Sequence, residues 1–105
     1  NINTGVEEPP AAIQDRLWLS VPWPNPTGAG ARLAFRTPAE GPVEVRIVDL
    51  DGRVLRALRE SSGSGRGMIH WDGRDELGRS VPVGTYFLQL RSGGETAERV
   101  LKVVR

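Results

Sequence analysis

The chain has 105 residues, 38% of them hydrophobic, and its 14 basic side chains nearly balance 13 acidic ones. This length and composition indicate one small globular domain and argue against a wholly disordered chain. The absence of cysteine excludes disulfides and thiolate chemistry. No apolar run approaches the roughly 20 residues of a membrane-spanning helix, and no basic stripe with interleaved aromatic residues indicates a nucleic-acid partner.

Residues 1–15 have the composition of a linker. They are polar, show no sustained hydrophobic period and contain Glu7-Glu8-Pro9-Pro10, whose prolines favour an extended path. The segment starts without an initiator Met or a signal-peptide pattern, so we expect a mature or excised fragment whose targeting signal, if any, lies upstream. Residues 16–105 are expected to form the folded domain.

From residue 17 onward, short apolar runs alternate with Gly, Pro, Asp and Asn, the residues that form turns between strands. In the first run, Leu17, Leu19 and Val21 alternate with polar or aromatic residues and are expected on one buried face. No window has a convincing helical period. The pattern predicts seven short strands, which together indicate an antiparallel, all-β immunoglobulin-like sandwich. Their predicted ranges are 17–21, 31–36, 43–50, 54–58, 68–71, 85–91 and 96–104.

Several residues are assigned structural roles in turns and in the core. The segment Pro24-Asn25-Pro26 fixes two φ angles and lacks two amide donors, which predicts an irregular crossover between sheets. Asp51-Gly52 has the composition of a tight hairpin turn. Gly84 is expected to allow a close backbone approach before Tyr86 enters the core. The complete set of assigned structural residues is Pro24, Asn25, Pro26, Asp51, Gly52, Trp71, Asp72, Gly73, Gly84 and Tyr86.

No catalytic residue is predicted. His70, the only histidine, and Asp72 share one strand end and one face, whereas a triad needs the histidine between the carboxylate and a nucleophile. No serine lies in the strained turn that exposes a nucleophile; those considered are Ser61, Ser62, Ser64 and Ser80. The glycine-rich run 63–67 belongs to a flexible loop predicted over 61–67, and no helix follows to bind phosphate.

No metal or cofactor site is predicted either, although calcium stays open as an alternative. Calcium takes six or more oxygens from converging carboxylates, and neither acidic turn carries such a set. Hydrogen bonds from carboxylates to turn amides explain the acids more simply. The acids concerned are Asp49, Asp51, Asp72, Asp75 and Glu76.

Four segments occur in an order that resembles known families: 23–26, 45–54, 71–75 with Gly78 and Pro82, and 84–87 with 101–103. Together they resemble the immunoglobulin-like domain of the flagellar hook-capping (FlgD-like) family and the C-terminal sorting domains of type IX secretion. The resemblance covers about residues 17–105. It implies a non-catalytic C-terminal module of a larger exported bacterial protein, secreted or held at the cell surface, whose partners are secretion or surface machinery or neighbouring subunits.

The leading hypothesis is therefore a module for secretion, surface attachment or assembly. If the last predicted strand lies at a sheet edge, a partner could recognise it by strand addition, and the residues assigned to that recognition are Lys102, Val103, Val104 and Arg105. One alternative is a carbohydrate-binding module of a secreted hydrolase that stacks sugars on Trp18 and Trp23. Another is an extracellular filament subunit whose residues 1–15 pair with the neighbouring copy.

Overall fold

The computed structural model describes residues 17–38, 41–61 and 65–105. The linker predicted over 1–15 lies outside these residues, and with it the pairing that a filament subunit would need. Residues 62–64 of the predicted loop also lie outside them. The described residues form seven strands. These are β1 (Trp18–Leu19), β2 (Ala31–Arg36), β3 (Pro42–Val48), β4 (Val54–Ser61), β5 (Arg66–Trp71), β6 (Gly84–Ser92) and β7 (Glu95–Val103).

The strands form two antiparallel sheets, one in the order β1-β2-β5 and the other in the order β4-β3-β6-β7. Successive side chains of a strand point to opposite faces, so each strand buries alternate residues. Leu33 and Phe35 on β2, and Leu88 on β6, are at most 2% exposed. No described residue is helical, and none belongs to a helix that could cross a membrane. The predicted all-β, immunoglobulin-like sandwich is confirmed.

Trp71 and Tyr86 connect the two sheets inside the core, where they are 3% and 4% exposed. Their rings meet edge to face with centroids 6.3 Å apart, an arrangement that aromatic pairs prefer. The indole N–H of Trp71 donates to the carbonyl of Arg74 at 2.9 Å, and the Tyr86 hydroxyl donates to the carbonyl of Pro82 at 2.5 Å. A tyrosine near the start of this strand that bonds to upstream backbone is a hallmark of immunoglobulin-like sandwiches.

The first strand is shorter than predicted, and the expected burial of Val21 is wrong, since Val21 is 53% exposed. Ser20 causes the difference. Its hydroxyl accepts the backbone N–H of Ala34 at 2.9 Å, a bond that its own carbonyl would accept in a regular ladder. Pairing with β2 resumes at Trp23, opposite Arg32. This stretch therefore carries one residue more than its partner strand, as in a β-bulge.

Other strand ends also differ from the prediction. The third strand ends at Val48 rather than at residue 50, and β4 and β5 extend into the predicted loop over 61–67. Around Gly84 no atom lies within 4 Å of the position that a Cβ would occupy, so the expected close approach is absent. Its φ of +154° is instead a conformation that residues with side chains rarely adopt.

Candidate interaction face

The described residues do not bring the histidine, the aspartate and a serine together. His70 is exposed, and its ring forms no hydrogen bond with another described residue. Asp72 accepts the guanidinium N–H of Arg56 at 3.1 Å and the backbone N–H of Arg74 at 3.0 Å. Of the serines considered, Ser61 and Ser80 are exposed, whereas Ser62 and Ser64 lie outside the described residues.

Two loops at one end of the sandwich, 49–53 and 75–79, share the sequence pattern Asp-x-x-Gly-Arg. In each loop the aspartate N–H donates to the arginine carbonyl, and the glycine N–H donates back to the aspartate carbonyl. Each carboxylate also accepts two backbone N–H groups of its own loop at 2.9–3.0 Å. The arginine Nε lies 3.8 Å from the carboxylate in the first loop and 3.3 Å in the second.

This geometry changes the assignment of the β3–β4 turn. Asp49 organises the turn, whereas Asp51 is exposed. The connection is a five-residue loop over 49–53 rather than the two-residue turn that the Asp-Gly pair suggested. Gly52 has a φ of +85°, the left-handed conformation that glycine adopts at least cost. The repeated spacing of aspartate, glycine and arginine is the sequence signal that would have identified both loops.

Asp75 is the carboxyl group that the fold perturbs most clearly toward its charged form. The backbone N–H of Arg79 donates to it and lowers its pKa below the ordinary 3.8, with further lowering by the Leu77 N–H and the Arg79 charge. Partial desolvation opposes this shift. The carboxylate is therefore held in its charged form by its own loop.

Glu76, the remaining acid considered for calcium, covers part of the outer edge of β4 with hydrogen bonds. Its carboxylate accepts the N–H of Ala57 at 2.9 Å, and its own N–H donates to the carbonyl of Leu55 at 3.0 Å. Both partners belong to the outer edge of β4. In the described parts of the chain, no three histidine, aspartate or glutamate side chains are grouped as metal ligands.

The outer edge of β7 is closed in its second half by the segment that follows β1. The Asn25 side chain donates to the carbonyl of Val100 and accepts the N–H of Lys102, both at 3.0 Å. The Thr27 backbone then donates to Lys102 at 2.9 Å and accepts from Val104 at 2.8 Å. The Asn25 side chain and the backbone of Thr27, which runs parallel to β7, thus take the place of a neighbouring strand. The Trp23–Pro24 and Asn25–Pro26 peptide bonds of this segment are cis.

The four residues assigned to recognition by strand addition are therefore not a free edge. Val103 is 2% exposed in the core, and the edge groups of Lys102 and Val104 already have partners. The Arg105 guanidinium donates to the carbonyl of Val81 at 2.8 Å. Strand addition at this position would first have to displace Asn25 and Thr27.

The outer face of the three-stranded sheet carries two parallel rows of cross-strand neighbours, which we call the arginine–tryptophan face. Directly paired residues share a face of the sheet. The rows follow from the pairing of β1 and the Trp23 segment with β2, and of β2 with β5. The first row is Trp18, Arg36 and Arg66, and the second is Trp23, Arg32 and His70. Ala34 and Met68 form the apolar row between them.

Trp23 and Arg32 are held together within the second row. The Arg32 guanidinium lies over the Trp23 ring, 4.2 Å from its centroid, which is a cation–π contact. A shallow depression of about 300 Å³ runs from this pair past His70. The two tryptophans proposed to stack sugars thus do lie on one face, but one ring face of Trp23 is covered by a guanidinium.

The strands of the arginine–tryptophan face carry basic side chains but no acidic ones. The guanidinium groups of Arg32 and Arg36 form no salt bridge or hydrogen bond with the described residues, and the buried Nε of Arg36 has no acceptor. Elsewhere in the described part of the chain, five arginines pair with carboxylates within 4 Å: Arg46, Arg53, Arg56, Arg59 and Arg79.

Several solved bacterial structures are similar to this chain in fold. PorZ of Porphyromonas gingivalis, described as an essential bacterial surface component of the type IX secretion system, is 22% identical with a TM-score of 0.61, over 90% of this chain and 12% of PorZ. Dimeric latent PorU of the same organism is 22% identical with a TM-score of 0.58, over 80% of this chain and 9% of PorU. FlgD from Xanthomonas campestris, whose structure gives insights into the hook capping essential for flagellar assembly, is 22% identical with a TM-score of 0.58, over 88% of this chain and 70% of FlgD.

These likenesses confirm, at the level of the fold, the resemblance drawn from the sequence. The chain spans only about a tenth of PorZ and PorU but most of the FlgD structure. No protein-family model and no curated protein sequence matches the chain.

Proposed function

We propose that this chain is a non-catalytic β-sandwich module of an exported bacterial protein, and that it works in secretion, surface attachment or assembly by binding another protein. The observation that carries the proposal is the fold shared, over at least 80% of the chain, with parts of PorZ, PorU and FlgD. Because these likenesses establish the architecture alone, the proposed function also depends on the surface features of the chain itself.

The bonding of the reactive side chains supports a non-catalytic module. The carboxylates of Asp49, Asp75 and Glu76 accept backbone N–H groups that turns and an edge would otherwise leave unpaired. A general base instead needs a reacting proton within hydrogen-bond reach. The proposal accordingly includes no cofactor and no metal.

The partly covered edges of the four-stranded sheet favour docking through a face. Free strand edges invite pairing with other chains, and proteins protect them by covering or charging them. Here the N-terminal part of β4 and the C-terminal part of β7 are covered. The arginine–tryptophan face, with exposed Met68 and partly exposed Trp23, has the composition that protein interfaces favour.

A carbohydrate-binding role is the second candidate, because Trp18 and Trp23 share this face. Affinity electrophoresis in neutral polysaccharide gels tests it. Retardation of the wild-type chain that is lost in Trp18→Ala and Trp23→Ala variants would favour sugar binding over protein docking.

The export function is tested by fusing the whole 105-residue chain to the C-terminus of a passive reporter in a bacterium that encodes it. The proposal predicts reporter in the medium or on the cell surface. A matched Leu88→Asp fusion, which places a charge in the core, is expected to stay inside or be degraded. Retention of the wild-type fusion in the cytoplasm, with the module folded, would contradict the proposal.

A further inference from the structure

We infer that the arginine–tryptophan face binds an extended acidic segment of a partner protein, with carboxylates four residues apart and an apolar side chain midway between them. The inference deepens the proposed function, since it takes the partner to be a protein and names the chemistry of its contact. It follows from three features of the face: the spacing of its rows, the absence of acidic side chains from its strands, and the cation–π contact between Arg32 and Trp23.

The spacing of the rows sets the spacing of the ligand groups. Arg32 and Arg36 are four residues apart on one strand, which places their Cα atoms about 13 Å apart. An extended peptide lying along β2 points residues i, i+2 and i+4 toward the sheet. Residues i and i+4 then lie over the two arginine rows, and residue i+2 lies over Ala34 and Met68, which is 44% exposed.

The hydrogen-bonding character of the face selects carboxylates. Arginine offers five N–H donors and no acceptor, and β1, β2 and β5 carry no Asp, Glu, Asn or Gln. A neutral sugar, whose hydroxyls donate as well as accept, would find the His70 ring as the one side-chain acceptor on these three strands. A carboxylate only accepts, and it pairs with a guanidinium through two parallel bonds. The Arg32 and Arg36 guanidinium groups have no such partner within the described chain.

Trp23 holds one arginine in position for binding, and the apolar row between the arginines favours a peptide over an acidic glycan. The Trp23 ring holds the Arg32 guanidinium at 4.2 Å, which lowers the side-chain entropy that binding would cost. Met68 and Ala34 between the rows contact apolar side chains better than they contact sugar hydroxyls. Tryptophan and arginine are also the residues that most often dominate protein–protein binding energy.

The test is an NMR titration of the 105-residue chain with the peptide acetyl-Ser-Glu-Thr-Leu-Thr-Glu-Ser-amide. We expect saturable shifts confined to β1, β2, β5 and the surface indole N–H groups, weakening with added salt because the contact is electrostatic. Replacing both glutamates by glutamine, or placing them side by side so that one arginine loses its partner, is expected to weaken binding about fivefold or more, since an exposed charged pair contributes up to about that factor. Equal binding of all three peptides, or no shifts, would overturn the inference.

Protein variants give the matched controls. Arg32→Gln with Arg36→Gln is expected to abolish the shifts, whereas Arg91→Gln, an exposed strand arginine of the other sheet, is expected to leave them unchanged. Unchanged backbone spectra of each free variant verify its fold. If Arg32→Gln with Arg36→Gln is misfolded, Arg32→Lys, which keeps the charge but loses the two-bond geometry, must weaken binding for the inference to hold.

Three other occupants of the face would each overturn the inference. Oligogalacturonate shifting the same signals at lower concentration than the peptide would identify an acidic glycan. Shifts of the face that depend on protein concentration alone would identify a second copy of the chain. Shifts caused by Glu7→Gln with Glu8→Gln, without added peptide, would identify the chain's own N-terminal segment. A reporter that is exported although the peptide does not bind would leave the proposed function standing.

Discussion

Replacing Asn25 by alanine tests whether a single side-chain amide closes the edge of β7. The substitution removes two hydrogen bonds of 3.0 Å, one from Asn25 to the carbonyl of Val100 and one to Asn25 from the N–H of Lys102. A hydrogen bond contributes a net ~0.5–1.5 kcal/mol, and exposed ones lie at the low end. We therefore expect a loss of about 1–2 kcal/mol in the free energy of unfolding, with a melting temperature lower by roughly 4–8 °C for each kcal/mol.

Urea unfolding followed by tryptophan fluorescence measures this loss, and hydrogen exchange of the Lys102 amide shows where it occurs. Gln89→Ala is the matched control, because this amide donates to Glu98 on the exposed face of the same sheet. Such surface substitutions usually change stability by less than about 0.5 kcal/mol. If Asn25→Ala is no more destabilising than Gln89→Ala, and Lys102 exchange is unchanged, Asn25 does not close the edge.

Three more side chains form hydrogen bonds to the backbone that can be tested by substitution: Ser20, Tyr86 and Asp75. Ser20→Ala leaves the partly buried N–H of Ala34 without its acceptor, so unfolding by urea should show a loss of about 0.5–1.5 kcal/mol; a loss near zero would mean that the hydroxyl does not shape the β1 irregularity. Tyr86→Phe keeps the ring contact with Trp71 but removes the bond to Pro82; calorimetry should show a cost of about 1 kcal/mol, and an unchanged melting temperature would refute it. Because folding lowers the pKa of Asp75, its stabilising effect is fully present above the unfolded-state pKa and is lost as pH falls through the lower folded pKa. The stability difference between wild type and Asp75→Asn should therefore shrink below about pH 4, and a difference that grows on acidification would contradict this sign.

Strand alternation identified the sandwich because each strand buries one face, which leaves a period of two in the sequence. The runs that became β2, β3 and β6 show this period over six or more residues. The first strand was mispredicted because Ser20 bonds to Ala34 through its side chain, a local substitution that the alternation of Leu17, Leu19 and Val21 does not encode. Competition of this kind between side chains and the backbone is common for serine.

The arginine–tryptophan face was harder to predict because it depends on register between strands distant in sequence. Trp23 joins Arg32 and His70 only after the extra residue following Ser20 places it on the outer face. Likewise, Asn25 meets Val100 and Lys102 at the far end of the chain. The sequence indicated the importance of both tryptophans and of Asn25, but it did not indicate their partners.

We propose that the module acts through its arginine–tryptophan face rather than through a free strand edge. Surface delivery of the reporter fusion measures this directly when Arg32→Gln with Arg36→Gln is compared with Arg53→Gln with Arg91→Gln and with removal of residues 104–105. We predict that the first pair lowers delivery about tenfold, the loss expected from one dominant contact, while the other two changes have little effect. Full delivery by the first pair, together with its loss on removing the last two residues, would contradict the claim.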